Sequence, residues 1–187
     1  MSYLWTNIAL NPLPWTVVIL AAMVAAGIDV ATGRIPNLLT VPLLLAGIVW
    51  SIGAGRVGGA LAGGGVMMFP FLLLLFFAGG GAGDAKLMAA LGAWLGLANS
   101  IVVLVVVLMV GGLLALVLSV ARRRVSEVLR SVRTIFLSGL VRLVCRSGLP
   151  DQTSESPENT QARNMPYGVA IFVGVSLAAV GVWLWHA

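Results

Sequence analysis

The sequence predicts an all-α membrane protein with about six transmembrane helices, and three observations lead to this class. Of the 187 residues, 60% are hydrophobic and only 9% are charged, and a soluble domain of this size could not cover so much apolar side chain. The apolar residues form six segments near the length of about 20 residues that a bilayer requires. The basic residues, finally, fall almost entirely on one side of those segments.

The predicted spans lie at about residues 14–33, 38–54, 57–79, 84–98, 100–121 and 166–186. Gly33 is expected to end the first helix, Pro36 prevents its continuation, and Asn37 is expected to cap the second. The fourth span is the shortest, so its start is expected below the membrane surface. Glycines repeat every four residues at 55, 59 and 63 and again at 92 and 96, which predicts close contact between helices.

The distribution of positive charge predicts the orientation in the membrane. If both termini are outside the cytoplasm, ten of the 11 basic residues lie on the inner side and Arg56 alone lies outside, as expected for cytoplasmic loops. The same placement brings all 6 tryptophans to the outer interface, which indole rings favour. The net charge of +5 is therefore an orientation signal, and we expect no nucleic-acid partner.

The chain is expected to form a single membrane-embedded domain over residues 1–187, with one sizeable region outside the bilayer at residues 122–165. The first part of that region has apolar residues at helical spacing and separate arginines, which predicts an amphipathic helix on the anionic inner surface. The polar part after residue 146 is rich in Ser, Pro and Glu, and it predicts a flexible loop.

Two acidic residues, Asp29 and Asp84, lie at the ends of apolar segments, whereas the other 4 of the 6 do not. A carboxylate inside a membrane is costly and is by default a candidate functional group. On the predicted topology both acids fall at the cytoplasmic edge, although 55 residues (84 − 29) separate them. Two neighbouring carboxyl groups in surroundings of low dielectric constant share a proton. The ionised one can then activate a water molecule while the protonated one polarises a carbonyl group. This arrangement is that of an aspartic protease.

Structural alternatives exist for both acids. Asp84 could cap a helix, and Asp29 could reach the headgroups or pair with Arg34. Capping does not explain the glycines before Asp84, among them Gly81 and Gly83, which leave the backbone bare for an extended substrate strand.

Other chemistries find little support in the residue types. The single histidine, His186, lies at the outer end of the last span, so neither a histidine triad nor a histidine metal site is expected. The single cysteine, Cys145, lies on the predicted amphipathic helix and is expected to act as a small hydrophobe. Lys86 could steady a carboxylate or contact phospholipid, and both roles stay open.

Three motifs resemble those of the type IV prepilin peptidases, a family of membrane aspartyl proteases with a G-x-G-D motif. They are Asp29 with Arg34 to Asn37 downstream, Gly81 to Lys86, and Met165 to Gly168 at the start of the last span. The three motifs occur in the same order as in the family, on six predicted spans, so the resemblance covers essentially the whole chain. The compact size looks most like the short peptidases of Flp (tight-adherence) pilus systems.

The resemblance implies an enzyme of the inner membrane that cleaves prepilins on the cytoplasmic side, after a glycine that precedes the pilin's hydrophobic helix. Asp29 and Asp84 would be the catalytic pair, supported by Gly81, Gly83, Lys86, Pro36 and Asn37. No metal or other cofactor is implied. The expected partners are the prepilin, the lipid bilayer and other membrane proteins of pilus assembly. Longer relatives also methylate the new N-terminus through a segment with paired cysteines, which this sequence does not contain.

Three competing hypotheses stay open at this point. A preflagellin (archaellin) peptidase would use the same chemistry on another precursor. A small proton-coupled transporter could use the two acids as a relay, although it would place them near the middle of the membrane. A passive scaffold in a secretion complex would not need either carboxyl group.

Overall fold

The computed structural model describes residues 12–78, 81–121 and 167–186, and side chains are described for nearly all of them. These residues form five helices and, within those ranges, no strand. The helices are α1 (Pro12–Thr32), α2 (Asn37–Gly53), α3 (Val57–Ala78), α4 (Ala82–Ala121) and α5 (Tyr167–His186). The all-α prediction is confirmed for this part of the chain. The predicted amphipathic helix and loop lie outside the described residues.

Four of these helices are long and apolar enough to cross a membrane. The qualifying segments are Pro12–Thr32, Val57–Phe76, Ala82–Val117 and Tyr167–Trp185, whereas α2 is apolar but has only 17 residues. Large apolar side chains such as Phe69, Met109 and Leu184 are exposed on the outside of the bundle, where lipid replaces water as the neighbour. The class of multi-pass membrane protein therefore holds, but the described residues do not confirm the predicted number of six spans.

The helical run α4 is broken at Gly96, whose φ of 71° and ψ of 176° are not helical. The Ser100 hydroxyl donates a hydrogen bond of 3.3 Å to the carbonyl oxygen of Gly92. In a straight helix eight residues rise about 12 Å, so the chain must bend back sharply at Gly96. Only glycine takes this conformation without strain. The break lies close to the boundary between residues 98 and 100 that the apolar pattern predicts.

The turn between α1 and α2 is only partly as predicted. Gly33 has a φ of 65°, and its N–H donates to the carbonyl oxygen of Asp29 at 2.7 Å, which confirms the expected glycine end of α1. The expected cap at Asn37 is wrong, because Pro36 takes the N-cap position with extended backbone and no side-chain hydrogen bond. Asn37 is thus the first helical residue, and its side chain is free to bind elsewhere.

Helices α3 and α4 pack closely at positions where both have glycine. A Cβ atom on Gly92 would lie 2.5 Å from the carbonyl oxygen of Gly63 and 2.8 Å from the Cα atom of Gly64. Among the repeated glycines, 63 and 92 confirm the predicted helix contact, whereas a Cβ atom at 55 or 59 would meet nothing within 4 Å.

Helix α4 is the centre of the bundle, because it packs against each of the other four described helices. Its residues Leu87, Met88 and Leu91 before the break, and Val103 and Val107 after it, are fully buried. Polar contacts add to this packing: the Ser51 hydroxyl donates to the carbonyl oxygen of Ala93 at 3.1 Å, and the Trp94 indole donates to that of Leu43 at 2.9 Å. The position of α4 therefore determines where Asp84 lies.

We expect Gly92→Ala to lower the free energy of unfolding by about 1–3 kcal/mol, because the new methyl group would overlap the backbone of α3. Thermal unfolding in detergent micelles measures the change. Gly112→Ala is the matched control on the same helix, since a Cβ atom there meets nothing within 4 Å. Equal unfolding temperatures for the two variants would contradict the glycine contact.

Candidate active site

Asp29 lies in the last turn of α1 and points into the bundle. Its side chain is 9% exposed, and its Oδ2 atom accepts a hydrogen bond of 2.8 Å from the backbone N–H of Gly168. Arg34, by contrast, is exposed. The described contacts of Asp29 are therefore those of a buried acid bound to the start of α5, rather than of an acid that reaches the headgroups.

Asp84 lies in the first turn of α4, which begins two residues earlier than the sequence predicts. Its backbone N–H donates to the carbonyl oxygen of Gly81 at 3.2 Å. Its Oδ2 atom lies 3.1 Å from the position that a Cβ atom on Gly81 would take, so a side chain at Gly81 would crowd the carboxyl group. Asp84 is partly buried, and the neighbouring Gly83 packs against Ile35, in the turn that follows Asp29 and the end of α1. The fold thus brings the two acids to the same end of the bundle.

Gly83 allows the start of α4 to approach the turn that follows α1. A Cβ atom on Gly83 would lie 3.1 Å from both the Cβ atom and the carbonyl oxygen of Ile35, and Ile35 is itself buried. The missing side chain of Gly83 is therefore explained by packing, because the chain's own Ile35 occupies the space beside it. Gly81 is exposed, and Gly79 and Gly80 lie outside the described residues.

Lys86 makes a contact that the sequence interpretation did not predict. Its Nζ atom donates a hydrogen bond of 2.9 Å to Oδ1 of Asn37, and both residues are exposed. The bond ties the first turn of α4 to the first turn of α2, directly after Pro36. Lys86 and Asn37 therefore link the segment that carries Asp84 to the start of α2, shortly after the turn that follows Asp29 and α1.

The sequence interpretation gave no role to Tyr167 and Gly168, although the third motif contains both. Gly168 binds Asp29, and the Tyr167 ring stands edge-on to Phe71 at a centroid distance of 6.2 Å and an angle of 87°. The Tyr167 hydroxyl oxygen lies 3.1 Å from the position that a Cβ atom on Gly111 of α4 would take. The order of the three motifs was the only signal in the sequence that pointed to these two residues. Glycine has no side chain, so nothing at position 168 suggests a contact made by its backbone N–H.

The described tryptophans lie toward the opposite end of the bundle. Trp15 precedes Asp29 by 14 residues on α1, a rise of about 21 Å. Trp50 stacks on Trp94 with ring centroids 6.2 Å apart, at the far end of α2 and next to the break in α4. The acids and the aromatic side chains thus occupy different ends of the same helices.

The arrangement suits acid–base chemistry by carboxyl groups. In a pair of carboxyl groups at one site, one can act as a general base while a protonated partner acts as the acid. Within the described ranges, no group of three or more His, Cys, Asp or Glu side chains could hold a metal ion.

Fold and site together define a multi-pass helical membrane protein with a pair of carboxyl groups at one end. The model of the type IV leader peptidase family matches residues 16–116, which is more than half of the chain and includes both Asp29 and Asp84. The chain belongs to this family, and the resemblance seen in its motifs is confirmed.

A curated relative points the same way. The prepilin leader peptidase/N-methyltransferase of Neisseria gonorrhoeae is 34% identical over 132 residues, which cover 66% of this chain and 45% of the relative. The chain thus matches less than half the length of that protein. No solved structure gives a significant match.

We expect a double-mutant cycle between Lys86→Met and Asn37→Ala to give a coupling free energy of about 1 kcal/mol. A hydrogen bond to a charged donor exceeds a neutral one, but solvent exposure weakens it. Unfolding free energies of the wild type, both single variants and the double variant measure the coupling. Additive effects of the two substitutions would contradict the bond.

Proposed function

We propose that the protein is a membrane aspartyl endopeptidase that removes the leader peptide from type IV prepilins, with Asp29 and Asp84 as its catalytic pair. The observation that carries the proposal is the meeting of these two acids at one end of the bundle, from segments far apart in sequence. Membership of the leader peptidase family supports the reaction type, and the name of the Neisseria relative supports the substrate class.

The chemistry needs only the two carboxyl groups and water. The ionised carboxylate takes a proton from the water while the water oxygen attacks the scissile carbonyl carbon, and the protonated partner donates to the carbonyl oxygen. The tetrahedral intermediate then collapses: the C–N bond breaks, the carboxyl that took the water proton passes it to the leaving nitrogen, and a hydroxyl of the intermediate returns its proton to the other carboxylate. A new carboxyl terminus and a new amino terminus result, and the pair again shares one proton.

The finer assignments rest on the sequence. The bias of ten basic residues against one favours a cytoplasmic position for the acids, in the inner membrane and with both termini outside. The tryptophans at the other end of the bundle agree with that orientation. Cleavage after a glycine that precedes the pilin helix follows the family resemblance, and the compact size favours an Flp-type prepilin as the substrate. Contacts with other membrane proteins of pilus assembly belong to the same proposal.

A proton-coupled transporter fits the geometry less well. Such a protein would place its acids at a discontinuity of the helices, near the centre of the membrane. The break in α4 lies at Gly96, about 18 Å of helical rise from Asp84, and both acids lie at helix ends. The position of the acids therefore favours the peptidase.

We expect Asp29→Asn and Asp84→Asn each to reduce cleavage of an Flp-type prepilin by about a thousandfold or more, because either substitution removes one member of the acid–base pair. An amide at position 29 can still accept the Gly168 hydrogen bond, and it removes the cost of burying a charge, so the fold should survive. The assay follows the precursor by gel shift and locates the cut by mass spectrometry of the new N-terminus.

Gly27→Ala serves as the matched control, because it lies two residues from Asp29 on α1 and a Cβ atom there meets nothing within 4 Å. It should cleave at the wild-type rate. Near wild-type cleavage by either asparagine variant would contradict the pair. Offering a preflagellin beside the prepilin separates the two peptidase hypotheses, and faster processing of the preflagellin would contradict the assigned substrate.

The orientation can be tested with the single native cysteine. We expect a membrane-impermeant maleimide to label Cys145 in intact spheroplasts only after permeabilisation, since residues 122–165 are predicted to be cytoplasmic. A Cys145→Ser variant with Ala54→Cys, in the turn between α2 and α3, should be labelled without permeabilisation. The reverse pattern would show the acids on the outer side.

A further inference from the structure

The first turn of α5 contacts one of the two acids directly. Gly168 donates a hydrogen bond of 2.8 Å to Asp29, and the preceding residue, Tyr167, packs against Phe71 of α3 and Gly111 of α4. Two consecutive residues of one helix turn therefore connect Asp29 of α1 to α3 and to α4, the helix that carries Asp84.

The contact at Gly168 requires both its N–H and its missing side chain. The first N–H groups of a helix have no partner within that helix, so the Gly168 N–H is available to the Asp29 carboxyl. A Cβ atom at this position would lie 2.9 Å from Cβ of Asp29, 3.0 Å from its Oδ2 atom and 3.2 Å from Cα of Ala26. The last of these neighbours belongs to the backbone of α1, so any larger residue would push the two helices apart.

Tyr167 anchors this turn on its other side. Its ring packs edge-on against Phe71 of α3, and its hydroxyl oxygen lies 3.1 Å from the position of a Cβ atom on Gly111 of α4. Gly111 follows the break at Gly96, so the sharp bend returns α4 to the end of the bundle where Asp84 lies. The ring thus holds the first turn of α5 against both neighbouring helices.

We propose that the first turn of α5 positions the catalytic pair: Gly168 restrains the Asp29 carboxyl through its backbone N–H, and the Tyr167 ring holds that turn against α3 and α4, the helix that carries Asp84. This inference rests on the proposed peptidase function and adds two positioning residues to it. Neither residue takes part in proton transfer. Their effect is on the relative placement of the two carboxyl groups, to which the rate of the reaction is sensitive.

Three glycines on α5 provide a matched series for the test. Gly168 contacts Asp29; Gly174 packs on the backbone of Val107, where a Cβ atom would lie 2.7 Å from Cα; and a Cβ atom on Gly181 would meet nothing within 4 Å. Alanine is therefore expected to disturb the acid at position 168, only the helix packing at position 174, and neither at position 181.

We expect Gly168→Ala to lower kcat for prepilin cleavage by about tenfold to a hundredfold with KM changed less than twofold, and to displace the acidic limb of the pH–rate profile. Gly174→Ala should lower the unfolding temperature, leave that limb in place and reduce kcat less than Gly168→Ala does. Gly181→Ala should match the wild type. Equal kcat values for Gly168→Ala and Gly174→Ala, or an unchanged acidic limb, would overturn the inference.

A second pair of variants covers the case in which Gly168→Ala does not fold. Tyr167→Phe keeps the ring and should retain kcat within about threefold, whereas Tyr167→Ala should lose about tenfold or more. Equal rates for these two variants would overturn the role of the ring. Failure of the wild type to cleave prepilin would instead contradict the proposed function, so the two failures are distinguishable.

Discussion

The meeting of three helix ends around two carboxyl groups is the constraint on which the rest of this structure depends. Acids are expensive in a membrane bundle, and their cost falls when backbone N–H groups and other polar groups surround them. Asp29 lies at the end of α1, while Asp84 and Gly168 lie at the starts of α4 and α5. Helix starts present unpaired N–H groups to an acid, and the hydrogen bond from Gly168 to Asp29 is one direct result.

Several glycines serve this meeting at different points of the bundle. Gly83 lets α4 approach Ile35, Gly92 and Gly63 let α3 approach α4, and Gly168 lets α5 approach Asp29. Gly96 has a separate role, because its positive φ turns the chain so that Gly111 returns to the level of Tyr167. Distant segments thus come into contact where glycine leaves room for a neighbouring backbone. The glycines of the G-x-G-D motif are therefore explained by packing, whereas its aspartate is explained by chemistry.

Local signals predicted most of the described helices, because apolar length and helix-ending residues act within a few residues of chain. The predicted boundaries lie within about two residues of the observed helix ends for α1, α2, α3 and α5. The wrong cap has a local physical cause, because Pro36 takes the position expected for Asn37. The break in α4 at Gly96 lies close to the predicted boundary between two spans. The backbone conformation of that glycine could not be read from composition, since glycine allows many backbone angles and requires none of them.

By itself the sequence determined the membrane class, the two candidate acids and the family, because hydropathy, rare buried charge and motif order are visible in a linear chain. Only the tertiary structure decided which groups contact these acids. In the folded chain Lys86 binds Asn37, and Ile35 fills the space beside Gly83. Asp29 accepts its hydrogen bond from a backbone N–H 139 residues away in sequence. The physical reason is that a backbone donor is the same at every position, so helix packing alone determines which one reaches the carboxyl group.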